Sequence, residues 1–193
     1  MGPTSGFNKE PYDPLRVARL LNEGYVLGWV QGRYEMGPRA LGNRSILAAP
    51  YPKKNLDRLN HIKKREGFRP IAPICREECM NDHFHPSTPS PYMLEFRKVI
   101  SDKIPAVTHV DISARPQSVN QSQNFLMHQL LGACRDVSGI GVLCNTSLNF
   151  NGRGFINKLS DLHRFANEHG LDGFIFNDKL YLKETGRDNE ILK

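Results

Sequence analysis

The stretch Ile140-Gly141-Val142-Leu143-Cys144-Asn145-Thr146-Ser147-Leu148-Asn149 decides the fold. Its first half is a continuous apolar run that follows Gly139, a pattern typical of a strand buried on both faces of a sheet. Its second half places small hydrogen-bonding side chains at the carboxyl end of that strand, where open α/β sheets bind ligands. The stretch therefore predicts an α/β sheet with a polar site behind a buried strand.

Helical and extended patterns alternate on both sides of this stretch, which favours an α/β sheet with long inserted loops over a helix bundle or a β-sandwich. Capping signals mark the helices: Asp13-Pro14 starts one of them, and Gly170 stops another. The predicted helices are Pro14–Glu23, Lys53–Arg65, Ser122–Asp136 and a helix that is capped by Ser160 and runs to His169; the predicted strands are Tyr25–Val30, Ile71–Cys75, Ile140–Cys144, Gly173–Phe176 and Leu180–Leu182; Asn81–Pro91 is a predicted surface loop.

The composition is that of a folded globule. The chain has 193 residues, of which 39% are hydrophobic and 24% are charged, so it has enough length to bury a core as one domain over residues 1–193. No apolar run approaches the roughly 20 residues of a membrane span, and Met1–Pro11 has no signal-peptide pattern. We therefore expect a cytoplasmic protein with no membrane partner, whose four cysteines are reduced.

Positive charge is concentrated in one segment. The formal net charge is +6, and the segment Lys53–Arg69 holds seven bases and two acids, a local balance of +5. Such a run is often only the solvated face of a helix. The turn Gly67-Phe68-Arg69-Pro70 is able to fold Arg69 back beside Lys63 and Arg65, which predicts a convergent basic cluster for an anionic partner.

A second basic segment, Gly32–Ser45, carries Arg33, Arg39 and Arg44 against a single carboxylate, Glu35. Guanidinium groups match phosphoryl oxygens in a bidentate manner, and glycines allow the backbone to approach an anion. This loop therefore predicts a phosphate site. The alternative is a structural turn whose arginines pair with distant acids.

Ser147 and Asn149 are alternate residues of an extended segment, so their side chains share a face and can reach one ligand. They would orient a carbonyl or phosphoryl group without adding charge, although such a pair is also common in a plain capping turn. Cys75, Cys79, His83 and His85 resemble a set of metal ligands, but their spacing is not that of a zinc site, and we predict no metal site. The common phosphate-loop and dinucleotide signatures are missing from the sequence.

With these residues in hand, the chain resembles the C-terminal domain of the O-carbamoyltransferases that act on nodulation factors and on antibiotics such as tobramycin and cephamycins. The resemblance covers about Tyr25–Gly154, and its motifs are Gly32-Arg33 through Gly37-Pro38-Arg39-Ala40-Leu41-Gly42-Asn43-Arg44-Ser45, Ile62-Lys63-Lys64-Arg65-Glu66 through Phe68-Arg69-Pro70-Ile71-Ala72-Pro73, His109-Val110-Asp111 through Arg115-x-Gln117, and Asn145-Thr146-Ser147-Leu148-Asn149. That domain is similar to the YrdC fold, which implies a twisted, open, mixed sheet with flanking helices and long loops around a basic cavity.

The resemblance implies a chemistry and a set of roles. Such enzymes use carbamoyl phosphate and ATP to make carbamoyladenylate, and then move the carbamoyl group to a hydroxyl acceptor. It implies that Lys63, Arg65 and Arg69 bind the triphosphate, that Arg39, Arg44 and Arg115 bind carbamoyl phosphate or the adenylate, and that Ser147 and Asn149 orient the reacting group. Catalytic roles fall to Lys63, Arg65, Ser147 and Asn149, and Lys64, Gln117, Asn145 and Thr146 are further phosphate-binding candidates. Magnesium is expected to bridge the nucleotide phosphates, with no dedicated metal site on the protein.

Two departures qualify this resemblance. Gly152-Arg153-Gly154 stands where the family often has Gly-Glu-Pro, so a base replaces an expected carboxylate. The resemblance does not extend to the sugar-kinase-like N-terminal domain of the family, which performs acceptor transfer, and we expect that domain as a partner in cis or in trans.

The alternative functions are a basic RNA-binding module and a non-catalytic partner module of the same fold. Nucleic-acid binding is disfavoured because Phe68 is the one aromatic residue in Lys53–Arg69, whereas single-strand binders interleave rings with bases.

Overall fold

The computed structural model describes residues 5–150 and 153–184. The helices are α1 (Pro14–Asn22), α2 (Lys54–Ile62), α3 (Met80–His83), α4 (Phe125–Ser138) and α5 (Leu159–His169); the strands are β1 (Phe7–Pro11), β2 (Leu27–Val30), β3 (Arg44–Ala48), β4 (Ala72–Arg76), β5 (Phe84–His85), β6 (Arg97–Val99), β7 (Ser113–Ala114), β8 (Gln117–Val119), β9 (Val142–Ser147), β10 (Gly173–Phe176) and β11 (Lys179–Lys183).

Eight strands form one mixed sheet in the order β1-β11-β10-β2-β3-β9-β4-β8. The β10–β2 and β4–β8 pairings are parallel, and the other pairings in this sheet are antiparallel. Strand β9 lies between β3 and β4, so the apolar run and the polar residues that follow it are inside the sheet. A second sheet of three short strands, β5-β6-β7, is built from the segment between β4 and β8.

The sheet has a hydrophobic cluster on each face. Leu47 packs in the cluster that contains α1 and α4, whereas its neighbours Ile46 and Ala48 pack in the cluster that contains α2 and α5. This alternation is the period-2 pattern of a strand that is covered on both faces. The α/β class and the mixed sheet predicted from the sequence are confirmed.

Most predicted elements are present with shifted ends. Helix α1, the hairpin β10–β11 and the stop of α5 at Gly170, which has a φ of 72°, agree with the prediction. Helix α2 ends at Ile62 rather than at Arg65, because its last turn is closed by backbone bonds from Lys63 N to Leu59 O (3.0 Å) and from Lys64 N to His61 O (2.9 Å). The triplet Lys63-Lys64-Arg65 therefore lies beyond the helix.

Three predictions were wrong in their boundaries or type. Asn81–Pro91 is not a loop throughout, since Met80–His83 is helical and Phe84–His85 is a strand that pairs with β6. Arg44 belongs to β3, which the glycine-rich context concealed in the sequence. Strand β9 continues to Ser147 because Asn145, Thr146 and Ser147 all pair with β3, so the polar residues end the strand instead of following it.

The four cysteines are buried and form no disulfide. Among the described residues there is no group of three or more His, Cys, Asp and Glu side chains able to hold a metal ion. In the same part of the chain, no helix has the length and apolar character needed to cross a bilayer. Gly152 lies outside the described residues, whereas Arg153 is within them and is exposed.

Candidate anion site

A cavity of about 140 Å³ opens at the carboxyl end of β9, beside the amino end of β4. We call it the arginine cavity because Arg39, Arg65 and Arg115 line it from three separate segments. The polar end of β9 forms another wall. The full lining is Pro38, Arg39, Ala40, Arg65, Pro70, Ile71, Ala72, Met93, Arg115, Asn145, Thr146 and Ser147.

A buried amide side chain orients Arg65. Asn60, which is 1% exposed, accepts a hydrogen bond from Arg65 Nε through its Oδ1 (2.7 Å). Its Nδ2 donates to the carbonyls of Gly67 and Arg69 (both 2.9 Å). One side chain on α2 thus fixes both the Arg65 guanidinium and the turn that follows it.

Lys63 connects the end of α2 to the end of β9. Its Nζ donates to Ser147 O (2.7 Å), to Asn149 O (3.3 Å) and to Asn149 Oδ1 (2.5 Å). Ser147 Oγ donates to the same Asn149 Oδ1 (3.1 Å), so the two side chains are in contact, although only Ser147 lines the cavity. Burial, followed by repulsion from Arg65, lowers the pKa of Lys63 to about 8.

Several polar atoms of the arginine cavity have no internal partner. Arg65 Nη2, Arg115 Nε and Asn145 Oδ1 are buried and make no hydrogen bond within the described residues. Burial lowers the pKa of Arg115, and repulsion from Arg39 adds to the effect. Burial likewise lowers the pKa of Arg65, with a further contribution from Arg69. Buried donors without acceptors are costly, so this geometry favours an anionic ligand that accepts from them.

The loop that presents Arg39 is held by Glu35. Its Oε1 accepts from Leu41 N (2.8 Å), Asn43 N (3.0 Å) and Asn43 Nδ2 (3.1 Å), and its Oε2 accepts from Arg44 N (3.1 Å). The carboxylate therefore holds the backbone of the loop in place, and within the described residues it forms no ion pair with Arg39. Within the described residues, Arg39 makes no hydrogen bond or ion pair, and its charge stays available to the cavity.

Arg44 has a structural environment instead. It is buried, and it donates to Gln31 O (2.6 Å), Asn43 O (2.9 Å) and Asn157 Oδ1 (2.7 Å). Its guanidinium also lies over the Tyr34 ring, 5.2 Å from the centroid. Both hypotheses for the arginines of this loop therefore hold in part. Arg39 lines the cavity as a phosphate-site residue would, whereas Arg44 has a structural role inside the fold.

The predicted site residues fall into three groups. On the arginine cavity lie Arg39, Arg65, Arg115, Asn145, Thr146 and Ser147; directly behind its wall lie Lys63, Asn149 and Gln117; away from it lie Arg44, Lys64 and Arg69. Gln117 supports the wall, because its Oε1 accepts from Asn145 Nδ2 (3.2 Å) and its Nε2 donates to Leu41 O (2.9 Å). Arg69 is 57% exposed and pairs with Glu66 (3.0 Å) rather than turning inward.

Two residues that sequence reasoning missed are Asn60 and Glu35. Asn60 is a polar residue inside the apolar stripe Leu56, Leu59 and Ile62, which is a signal of a buried hydrogen-bonding role. Glu35 is the one acid among three arginines, but the sequence does not indicate that its carboxylate accepts hydrogen bonds from the backbone of the loop.

This fold and site define an α/β domain with a small cationic cavity at the end of a central strand. A family model for the carbamoyltransferase C-terminus matches residues 18–183. The chain belongs to this family of carbamoyltransferases, which are enzymes, and corresponds to their C-terminal domain.

Curated relatives agree with this assignment. The chain is 49% identical over 181 residues to a 3'-hydroxymethylcephem-O-carbamoyltransferase from Amycolatopsis lactamdurans, covering 93% of this chain and 35% of the relative. It is 46% identical over 153 residues to nodulation protein U from Rhizobium tropici, covering 78% of this chain and 27% of the relative. The chain thus spans between about a quarter and about a third of the length of these relatives.

A solved structure of full-length HypF, described as the phosphate- and nucleotide-bound form, is similar in fold with a TM-score of 0.59. The similarity covers 92% of this chain and 22% of HypF at 14% identity. At that identity the likeness concerns the fold alone, and it agrees with the YrdC-like mixed sheet predicted above.

Proposed function

We propose that this domain binds ATP and carbamoyl phosphate in the arginine cavity and forms carbamoyladenylate, the donor for transfer of the carbamoyl group to a hydroxyl acceptor. Membership of the carbamoyltransferase family supports a carbamoyl group as the group that is transferred. One structural observation supports the site: Arg39, Arg65 and Arg115 line a single cavity, and Arg65 Nη2 and Arg115 Nε are buried with no hydrogen-bond partner within the described residues.

The chemistry requires charge stabilisation at phosphorus. Carbamoyl phosphate loses its phosphate to water and supplies carbamate; a carbamate oxygen then forms a bond to the α-phosphorus of ATP while the bond to pyrophosphate breaks. Fixed guanidinium donors stabilise the charge that develops on the phosphoryl oxygens, and such preorganised groups are the main source of rate enhancement in comparable reactions. We assign this role to Arg65, Arg115 and Arg39.

The polar end of β9 positions the reacting groups. Ser147 lines the cavity, and Lys63 holds both Ser147 and Asn149. The lysine therefore acts on the reaction through the geometry and the field that it imposes on this wall. Magnesium would arrive with the nucleotide phosphates, since it commonly keeps water ligands and binds through substrate oxygens.

We assign acceptor transfer to the part of the curated relatives that lies outside this domain. The acceptor is a hydroxyl compound by family analogy alone. The nucleic-acid alternative gains no support, because several bases of Lys53–Arg69 are buried or already paired: Lys63 is buried, Arg58 pairs with Asp172 (2.8 Å), and Arg69 pairs with Glu66.

The test is pyrophosphate release by the 193-residue chain incubated with ATP, carbamoyl phosphate and Mg²⁺. We expect release that depends on carbamoyl phosphate, and we expect Arg65→Ala and Arg115→Ala each to lower the rate by about 10²-fold. The matched control is Arg69→Ala, an exposed arginine whose loss should leave the rate within about twofold.

Binding of the substrates by calorimetry separates the outcomes. Nucleotide binding without pyrophosphate release would reduce the domain to a binding half of a larger enzyme. Failure to bind either ATP or carbamoyl phosphate, with the fold intact by circular dichroism, would refute the proposal.

A further inference from the structure

One surface of the domain exposes a cluster of large apolar side chains, which we call the apolar face. Two grooves of about 440 Å³ and about 510 Å³ share Leu56, Thr108, His109 and Val110 in their linings, so they form one continuous surface. The side chains that define the face are each at least 54% exposed; they are Phe68, Phe96, Ile100, Val110 and Ile112. The function proposed above makes no use of this surface.

The turn that carries Val110 and Ile112 is held in an outward position. His109 N donates to Ser113 O (2.8 Å), and Ile112 N donates to His109 O (3.0 Å). Ser113 Oγ also donates to Asp111 Oδ1 (2.6 Å). Ile112 has a φ of 60°, which is an outlier for a β-branched residue. The hydrogen bonds therefore maintain a strained backbone that keeps two apolar side chains in water in the isolated domain.

The apolar face is large and nearly uncharged. Apolar side chains of this size present on the order of 100 Å² each to water, so the five together reach the upper end of the few hundred Å² that a monomer exposes in one patch. The linings of the two grooves contain one base, Lys53, and two acids, Asp102 and Asp111, whereas the whole chain has a net charge of +6. The surface therefore favours an apolar protein partner over a polyanion.

The apolar face borders the arginine cavity. Pro70 and Ile71 line both the cavity and the adjacent groove. The Arg115 guanidinium, which lines the cavity, lies over the Phe96 ring of the face, 5.7 Å from its centroid. A protein seated on this face would therefore lie next to the cavity in which we place the formation of carbamoyladenylate.

The curated relatives contain enough chain to supply such a protein. This domain covers 35% of the Amycolatopsis lactamdurans relative, so about two-thirds of that polypeptide lies outside it. The proposed function assigns acceptor transfer to that part, and the activated carbamoyl group has to reach it before water does. A contact beside the cavity shortens this path, whereas a second copy of this domain would bring no acceptor-transfer part with it.

We propose that the apolar face is the docking surface for the part of a carbamoyltransferase polypeptide that lies outside this domain. This inference rests on the proposed function and adds to it the surface through which the two parts meet. Val110 is at the centre of the contact, because it lines both grooves. The partner surface is apolar, with a recess that receives the turn carrying Val110 and Ile112.

The test measures solvent access to the apolar face in the isolated chain and in a joined polypeptide, in which this chain replaces the matching segment of the Amycolatopsis lactamdurans relative. Val110→Cys and Ile100→Cys each place one thiol on the face. The matched control is Phe125→Cys, an exposed aromatic position at the start of α4, which packs on the opposite face of the sheet from α2. The unsubstituted chain, whose four cysteines are buried, gives the background of maleimide labelling.

We expect labelling at positions 110 and 100 to be at least about tenfold slower in the joined polypeptide than in the isolated chain, and labelling at position 125 to change by less than about twofold. A second measurement adds the remaining segment of the relative in trans. Val110→Asp should weaken its binding to this chain at least about tenfold by calorimetry, because the variant buries an unpaired charge at the centre of the contact.

Equal labelling of Val110→Cys in the two forms, or binding in trans that Val110→Asp leaves unchanged, would overturn the inference. Protection of position 110 in the isolated chain, together with a dimer in sedimentation velocity, would assign the face to a second copy and would also overturn it. The proposed function fails on a different result, namely that the isolated wild-type chain binds neither ATP nor carbamoyl phosphate. The labelling does not depend on that result, so the two failures are distinguishable.

Discussion

We expect anion binding at this site to be coupled to proton uptake by Lys63. The pKa of Lys63 is lowered to about 8 by burial and by Arg65. An anion in the arginine cavity lies just beyond Ser147, whose carbonyl accepts from Lys63 Nζ at 2.7 Å. For a separation of about 6 Å and an effective dielectric constant of about 20, one negative charge stabilises the protonated lysine by about 3 kcal/mol, or about 2 pKa units.

The free protein is then about half protonated at Lys63 at pH 8, and the complex is almost fully protonated, so binding takes up about 0.5 proton. At pH 6 both states are protonated, and the uptake from this residue falls to about zero. The assay is calorimetric titration with tripolyphosphate in two buffers of different ionisation enthalpy, at both pH values. Protons exchanged by the ligand itself cancel when wild type is compared with Lys63→Met.

We expect the difference between wild type and Lys63→Met to be about 0.5 proton at pH 8, whereas the exposed Lys54→Met should match wild type. Equal uptake by wild type and Lys63→Met at pH 8 would show that Lys63 does not respond to the anion. Folding stability gives a second readout. The unfolded chain binds more protons than the native state between pH 8 and 10.5, so Lys63 makes the free energy of unfolding rise with pH in that window.

Three more predictions follow from the packing. We expect Glu35→Gln and Arg39→Ala each to weaken carbamoyl phosphate binding about tenfold, and the double variant to lose no more than either single variant, because Glu35 acts through the loop that presents Arg39. Additive losses in titration would contradict this. Gly173→Ala places a Cβ 2.5 Å from Tyr181 O and should destabilise the fold by about 1–3 kcal/mol in urea denaturation, and an unchanged midpoint would contradict it. Burial raises the pKa of Cys134 to about 12 and leaves all four thiols inaccessible, so a disulfide-exchange dye should react with them only after unfolding, and rapid reaction of the native protein would oppose this.

The sequence predicted those elements whose signals are local. Asp13 caps α1 by accepting from Leu15 N (3.1 Å) and Arg16 N (3.3 Å), and Gly170 ends α5 in the left-handed region. Both depend on a few adjacent residues, so propensity rules identify them. Strand β3 was missed because its start, Arg44, has a buried charge that only distant carbonyls and Asn157 can satisfy.

The candidate site was predicted in part for the same reason. Arg39, Arg65 and Ser147 belong to motifs whose chemistry is visible in the sequence, and the structure brings them to one cavity. Arg69 does lie near enough to Arg65 to add to the lowering of the Arg65 pKa by burial, but it pairs with Glu66 (3.0 Å) at the surface and does not line the cavity. Which basic side chain of a cluster points into the cavity depends on hydrogen-bond partners such as Asn60, and rules based on local sequence do not predict those partners.

The central position of β9 has a consequence for synthesis of the chain. Strands β3 and β4 leave the ribosome long before β9, and each keeps one hydrogen-bonding edge open until β9 enters between them. Until β9 is synthesised, the nascent chain presents two unpaired strand edges to neighbouring chains, and such edges promote aggregation. Expression yield of this domain should therefore respond more strongly to chaperones and growth temperature than the stability of the finished protein would indicate.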